Sequence, residues 1–231
     1  MFFKQDRFSG GRPAIEEYIF QVRTFSRISP TVCLEIGALD GEYSRLLANA
    51  FGLAEKDMFL VEPNPTLVPE LRRRFPRSSV LPFAVAMGAT KAEFHVVQSD
   101  ERFKLGCSSM LQRVDPWASH LNYSMMSVGC ISGTSLLERI NQPVDLCIVD
   151  VEGAAFDVLQ SFDVRICEIR TLLVECEHAE IFSGQKLFPE IEGFLKSRGF
   201  EMMAFRYSYA NQSDSIWIQK KFVDLAYRSG R

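Results

Sequence analysis

No stretch of this sequence approaches the ~18 consecutive apolar residues that a bilayer crossing requires. The opening MFFKQDRFSGGRP also lacks an apolar core followed by a small-residue cleavage site. A soluble, cytoplasmic protein is therefore expected. Basic residues are not in excess either: 26 Lys and Arg against 29 Asp and Glu give a formal net charge of -3. That balance removes the electrostatic basis for gripping nucleic acid or an anionic membrane surface. The one basic cluster, Arg72 to Arg74, falls where Leu71 and Phe75 take the buried side of a helical pattern, so it reads as a solvated helix face. The six cysteines never form a CxxC pair, and Cys33 and Cys147 lie within apolar runs. Buried free thiols fit them better than disulfides or zinc ligands. Repeats, low-complexity tracts and Pro/Gly/Ser linkers are missing too, so the 231 residues are expected to form one domain.

What is present is an alternation of short β-rich runs and helical periods. Residues 13–25 put Ile15, Tyr18, Ile19, Val22 and Phe25 on one stripe, within an N-terminal helical segment (1–30). Strands are expected at TVCLEI (31–36), DMFLVE (57–62), SVLPFAVA (79–86), AEFHVV (92–97), VDLCIVD (144–150) and TLLVEC (171–176). Helical stripes follow several of them, and GFEMMAFRY and DSIWIQK close the chain as a strand pair around SYANQS. Near-continuous apolar strands between helices argue for an α/β fold, a mostly parallel sheet covered on both faces. Residues 99–131 show the least regularity, and a segment of that length reads as a lid or acceptor-binding insertion.

Another absence is informative at CLEIGALDGEYS. The turn after the first strand contains Gly37 and Gly41 but no GxGxxG, and Asp40 stands where a dinucleotide's phosphates would sit. Glu35 lies two residues before Gly37, placed to accept from a ligand ammonium. Glu62 ends the second strand, where a carboxylate can take both ribose hydroxyls. A ligand with a ribose, an ammonium and a sulfonium but no phosphate is S-adenosylmethionine (SAM). The competing reading of Glu35 is a cap on the helix that follows.

The stretches EIGALDGEYS, LVEPNP, SSVLPFAVA and VDLCIVDVEGAAFDVL resemble, in order and spacing, the FkbM family of SAM-dependent methyltransferases. The likeness runs from about residue 31 to about residue 178. It implies a Rossmann-like class I methyltransferase fold, with a seven-stranded sheet whose last strand is antiparallel. It implies that Glu35, Gly37, Ala38, Asp40 and Gly41 border the methionine end of the cofactor, and that Glu62 holds the ribose. Pro63 and Asn64 would shape the adenosine side, and Ala84 and Val85 would lie by the adenine. Ser108 and Ser109 match a GxSS element common in the family. Two departures stand out: Leu39 replaces a frequent asparagine and Ala155 a frequent glutamate.

For the chemistry, Asp150 at the end of VDLCIVD, Glu152 just beyond it, and Glu175, Glu177 and His178 at the end of TLLVEC and after it are the candidates. Asp150 and His178 are expected to converge on one cavity, with Asp150 facing the methyl. The competing readings are a helix cap for Glu152 and a loop residue for His178. The carboxylates could bind Mg2+, but no asparagine or second aspartate completes an oxygen shell, so no metal is expected. Trp117, His120, Tyr123, Met125 and Met126 could line an acceptor pocket, though Met125 and Met126 suit a packing role better. The leading expectation is O-methylation of a small-molecule or sugar hydroxyl. A catalytically silent nucleoside-binding module and, more remotely, a nicotinamide-dependent oxidoreductase are the alternatives.

Overall fold

Alternation along the strands divides the core in two. In β1 (Cys33–Ile36), Leu34 and Ile36 face one side and Cys33 the other, and β2 (Met58–Val61) and β7 (Val144–Val149) follow suit. One face packs on α1 (Arg12–Phe25), α2 (Glu42–Phe51) and α3 (Val68–Arg74) through Ile15, Tyr18, Leu47 and Leu71. The other packs on α5 (Gly133–Ile140), α6 (Ala155–Ser161) and α7 (Phe188–Ser197) through Leu136, Val158 and Leu195. This computed structural model describes residues 12–209 and 211–224, so residues 1–11 of the expected N-terminal segment lie outside it.

The main sheet has seven strands, completed by β3 (Ser79–Leu81), β8 (Ile169–Glu177), β9 (Phe200–Tyr209) and β10 (Gln212–Gln219). Their order is β3-β2-β1-β7-β8-β10-β9. From β3 to β8 neighbouring strands are parallel, and β10 inserts antiparallel between β8 and β9. Strand order reverses between β1 and β7, which opens a crevice beyond their carboxyl ends. Among the described residues no helix is long and apolar enough to cross a membrane. All six cysteines are free, and four are buried.

Three parts differ from the sequence reading. SVLPFAVA is not one strand: after β3 the chain breaks at Pro82, which has no N–H for a ladder. It resumes as β4 (Ala84–Val85) in a second sheet of order β4-β6-β5. That sheet contains β5 (Lys91–Val97) and β6 (Tyr123–Ile131), paired antiparallel over seven residues. The stretch 99–131 is thus regular in its last third, and it includes the one-turn helix α4 (Arg102–Leu105). Helix α5 is an addition, capped where Ser132 Oγ accepts from Ser135 N at 3.1 Å.

Candidate active site

At the tip of β1, Gly37 N and Ala38 N both donate to Val61 O at 3.0 Å, pinning the turn to β2. Gly37 has φ +84°, and a Cβ there would lie 1.7 Å from the carbonyl oxygen of Asp150. Only glycine lets the β1 and β7 tips approach this closely. The crevice beyond them encloses ≈ 680 Å³, part of it open to solvent. Gly37, Leu39, Glu62 and Pro63 line one side, and Asp150, Val151 and Glu152 the floor. Phe83, Ala84, Val85, Phe94 and Met110 form an apolar wall.

Glu62 is 5% exposed, and both of its oxygens are engaged: Oε2 accepts from Leu39 N at 2.8 Å and Oε1 from Asn64 N at 2.7 Å. Burial pushes its carboxyl up to about 7, against the pull of those two N–H donors. Asn64 is fully buried, and its Oδ1 accepts from Thr66 N at 3.0 Å. Its Nδ2 has no hydrogen-bond partner among the described residues.

Several expected contacts sit behind the cavity instead of in its wall. Glu35 falls on the α2 face of β1, and its Oε2 accepts from Ser44 N at 3.0 Å in the first turn of α2. It is a helix cap, because strand alternation sends Ile36 and not Glu35 toward the crevice. Asp40 forms an ion pair with Arg74 at 2.8 Å, and its Oδ1 accepts from Glu42 N. Gly41 is packed against Phe75 and Leu60, where a Cβ would fall within 2.8 Å of either side chain. Ala38 is buried beneath the turn. Ser109, 1% exposed, donates through Oγ to Glu152 O at 2.7 Å and so holds the β7–α6 turn. Ser108 lines the cavity.

A second cavity, ≈ 1070 Å³ on the same measure, adjoins the first. Arg113, Asp115, Trp117, Glu152, Glu175, Tyr209 and Gln212 are in its wall. Glu152 belongs to both. Its backbone has φ +49°, an uncommon conformation for a residue with a side chain. Arg113 grips Asp115 with two hydrogen bonds, of 2.7 and 3.0 Å, and lies 3.8 Å from Glu152. Its guanidinium is 5.0 Å from the Trp117 ring centre and 5.2 Å from that of Phe182. Of the five aromatic, His and Met candidates in the insertion, Trp117 lines the second cavity and the other four line neither of these two; His120 and Met125 are exposed.

Asp150, Glu152 and Glu175 each offer a carboxylate oxygen within 4.8 Å of the others. Burial raises all three, and each of the two glutamates is raised further by Asp150. At Asp150 a hydrogen bond with the Glu175 carboxyl opposes the rise. Glu177 and Asp214 join the cluster, each pushed up to about 7 by burial and then by Asp150. His178 does not. Its Nε2 pairs with Ser213 Oγ at 2.8 Å among Phe188, Phe205 and Tyr207, and it lines neither cavity. It lies at the far end of β8, one residue past Glu177, and burial lowers its pKa. Sequence reasoning missed Arg113 and Asp115, whose opposite charges two residues apart were the available signal.

Residues 35–202 match a family described as the methyltransferase FkbM domain. Among solved structures, the methyltransferase FkbM of Methylobacillus flagellatus KT is similar at 12% identity and TM-score 0.53. The match covers 93% of this chain and 56% of that one. The magnesium protoporphyrin IX methyltransferase of Synechocystis PCC 6803, with bound SAM, is similar at 11% identity and TM-score 0.52, covering 95% and 87%. The plantazolicin methyltransferase BamL, in complex with a desmethyl analogue and SAH, is similar at 6% identity and TM-score 0.53, covering 94% and 86%. No curated protein matches the chain.

Proposed function

Since the chain belongs to the FkbM methyltransferase family, we propose that it moves the methyl group of SAM to a hydroxyl oxygen of a small-molecule acceptor, a sugar included. One observation carries this reading: two cavities meet at the Asp150–Glu152 turn, one with a buried carboxylate and an apolar wall, the other with an aromatic and charged one. Glu62, in the wall of the first cavity, suits the ribose, whereas Asn64 is fully buried and lines neither cavity. The wall from Phe83 to Val85, with Phe94 and Met110, suits adenine. Pro63 of the adenosine-side pair and the two adenine-side expectations, Ala84 and Val85, suit this arrangement; Glu35, Asp40 and Gly41 support the turn from outside it.

The transfer is one displacement. An acceptor oxygen lone pair forms the new C–O bond as the C–S bond breaks, and that electron pair returns to sulfur. The hydroxyl proton goes to a base. Asp150 suits this role, since burial raises its basicity while the Glu175 carboxyl keeps it oriented. The sulfonium needs no further activation, so alignment and exclusion of water supply the rest. Residues 105–117 contribute to both cavity walls and fit the role of an acceptor-binding insertion. Ala155, where the family often has glutamate, is 2% exposed and packs into the core; the carboxylates of the cluster are retained, which favours an enzyme over a silent module.

With radiolabelled SAM and a panel of hydroxylated acceptors, Asp150→Asn should lower turnover by about 100-fold or more. SAH binding by calorimetry should stay within a few fold. Full turnover by the Asn variant would remove the base from Asp150, and an oxidoreductase-like melting shift with NAD but none with SAH would remove the donor.

A further inference from the structure

We propose that Tyr209 and Trp117 select the acceptor, by bedding one saturated, uncharged and polyhydroxylated ring in the second cavity. Use of that ring as methyl acceptor rests on the methyl-transfer reading; its binding does not. Near its end β9 carries a bulge. Phe205 pairs with Ser215 and Tyr207 with Ser213 of β10, and the register then jumps to Tyr209 opposite Gln212, passing over Ser208. Plain alternation would put Phe205, Tyr207 and Tyr209 on one face of the sheet. The bulge turns Tyr209 onto the other. Phe205 and Tyr207 stay with His178 and Phe188, in ring contacts whose centroids are 4.9 to 5.5 Å apart. Tyr209 joins the face of Gln212 and Asp214, which stand opposite Glu177 and Glu175. It lines the second cavity there, and after burial Glu175 and then Glu152 are the groups that raise its phenol most.

Tyr209 keeps 52% of its surface exposed while standing in a cavity wall, so its ring is open to contact. Trp117, in the same wall, is held in place: the Arg113 guanidinium lies 5.0 Å from its ring centre, and it packs on Cys107 and Leu121. The remainder of that wall is largely polar. Asp115, Glu152 and Glu175 can accept hydrogen bonds, and Asn211 and Gln212 can both accept and donate. A saturated ring with several hydroxyls meets both demands at once, its C–H face on an aromatic ring and its rim on the oxygens and amides. A planar phenol brings few hydroxyls and would leave those groups unpaired. A ring with its own carboxylate would meet three acidic residues and one arginine already gripped by Asp115. Sugars and cyclitols share the favoured chemistry.

Trp117 also supplies the readout. The other tryptophan of the chain, Trp217, is sealed in the core, so a change in tryptophan fluorescence on adding a ligand reports Trp117. The full chain is titrated with methyl glycosides of hexoses, deoxyhexoses and pentoses, with myo-inositol, and with glucuronate and catechol as the acidic and planar rings. A saturating response to at least one neutral hydroxylated ring is expected, and none to glucuronate or catechol; glycoside against inositol tells the two sources apart. Tyr209→Ala should weaken that binding roughly tenfold. Tyr209→Phe should keep it within a few fold, and Tyr207→Ala, on the opposite face, should leave it unchanged. In turnover of the responding ring, Tyr209→Ala should raise KM and spare kcat. Melting with and without SAH, on the same samples, reports that the variants are folded and separates the two proposals. An SAH shift with no response to any hydroxylated ring overturns the acceptor bed alone. A ring response without an SAH shift removes the donor and keeps the bed. Undiminished binding by Tyr209→Ala, a response that survives Trp117→Phe, or one confined to catechol or glucuronate would also overturn the proposal.

Discussion

Leu39 holds its backbone at φ +47° while its N–H donates to Glu62 and the residue lines the first cavity. A branched apolar residue in the left-handed region costs about 1 kcal/mol, and asparagine tolerates that region better. Leu39→Asn is therefore expected to raise stability in urea by about 0.5–1 kcal/mol. A lower stability would mean that Leu39's packing outweighs its strain. The same scale shows why only part of the site could be read from the chain. Glu35 and Glu62 both stand near strand ends, and as letters they look equivalent. Glu62 falls just beyond β2, where the chain leaves the sheet and the carboxylate turns into the crevice. Glu35 is still inside β1, one residue short of its end, and pleating turns it onto α2. Counting strand parity from Cys33 would have told them apart. No local signal could announce that Arg113, in a loop, would lie against Glu152, nor that Ser109 would hold Glu152's carbonyl.

At the level of elements, the glycine between β1 and β7 is the tightest constraint. Asp150 N donates to Ile36 O at 3.0 Å, and the Asp150 carbonyl oxygen fills the space a Gly37 side chain would need. Gly37→Ala must separate the strand tips or leave its backbone conformation. We expect a loss of about 3 kcal/mol or more in denaturant unfolding, together with loss of SAH binding. A stable variant with intact binding would show that the tips can part without harm. The parallel strands were legible because burial on both faces makes them continuous apolar runs. The second sheet was not. Pro82 divides a single apolar run between two sheets, and β6 exposes part of its length, so YSMMSVGCI has neither a clean alternation nor a continuous run. Helix α5 carried its own signals, Ser132 as cap and Leu136, Leu137 and Ile140 on one stripe, within a stretch too short to stand out.

For the molecule as a whole, acid is concentrated at one edge of the sheet although the net charge is only -3. Asp150, Glu152, Glu175, Glu177 and Asp214 share that edge with Tyr43, while Arg113 and Arg206 are the cations acting on it. Glu62, Glu177 and Asp214 are raised to about 7 and Glu35 to about 8, all by burial first. A carboxyl raised on folding binds more protons in the native state than in the unfolded chain between the two pKa values. Stability must then fall as pH rises through that interval. The protein is accordingly expected to melt at a higher temperature at pH 6 than at pH 8. A melting temperature that climbs over this range would mean that the cluster is already neutralised by other charges.

Glu152 forms part of both cavity walls, and Ser109 fixes its backbone while its carboxylate lies 3.8 Å from Arg113. Molecules in the two cavities would meet this one carboxylate from its two sides. Donor and acceptor affinities are then reciprocally linked: if SAH tightens an acceptor's binding by some factor, the acceptor must tighten SAH by the same factor. Replacing Glu152 with Gln should bring both factors toward one together, so that the two halves of the site bind as strangers.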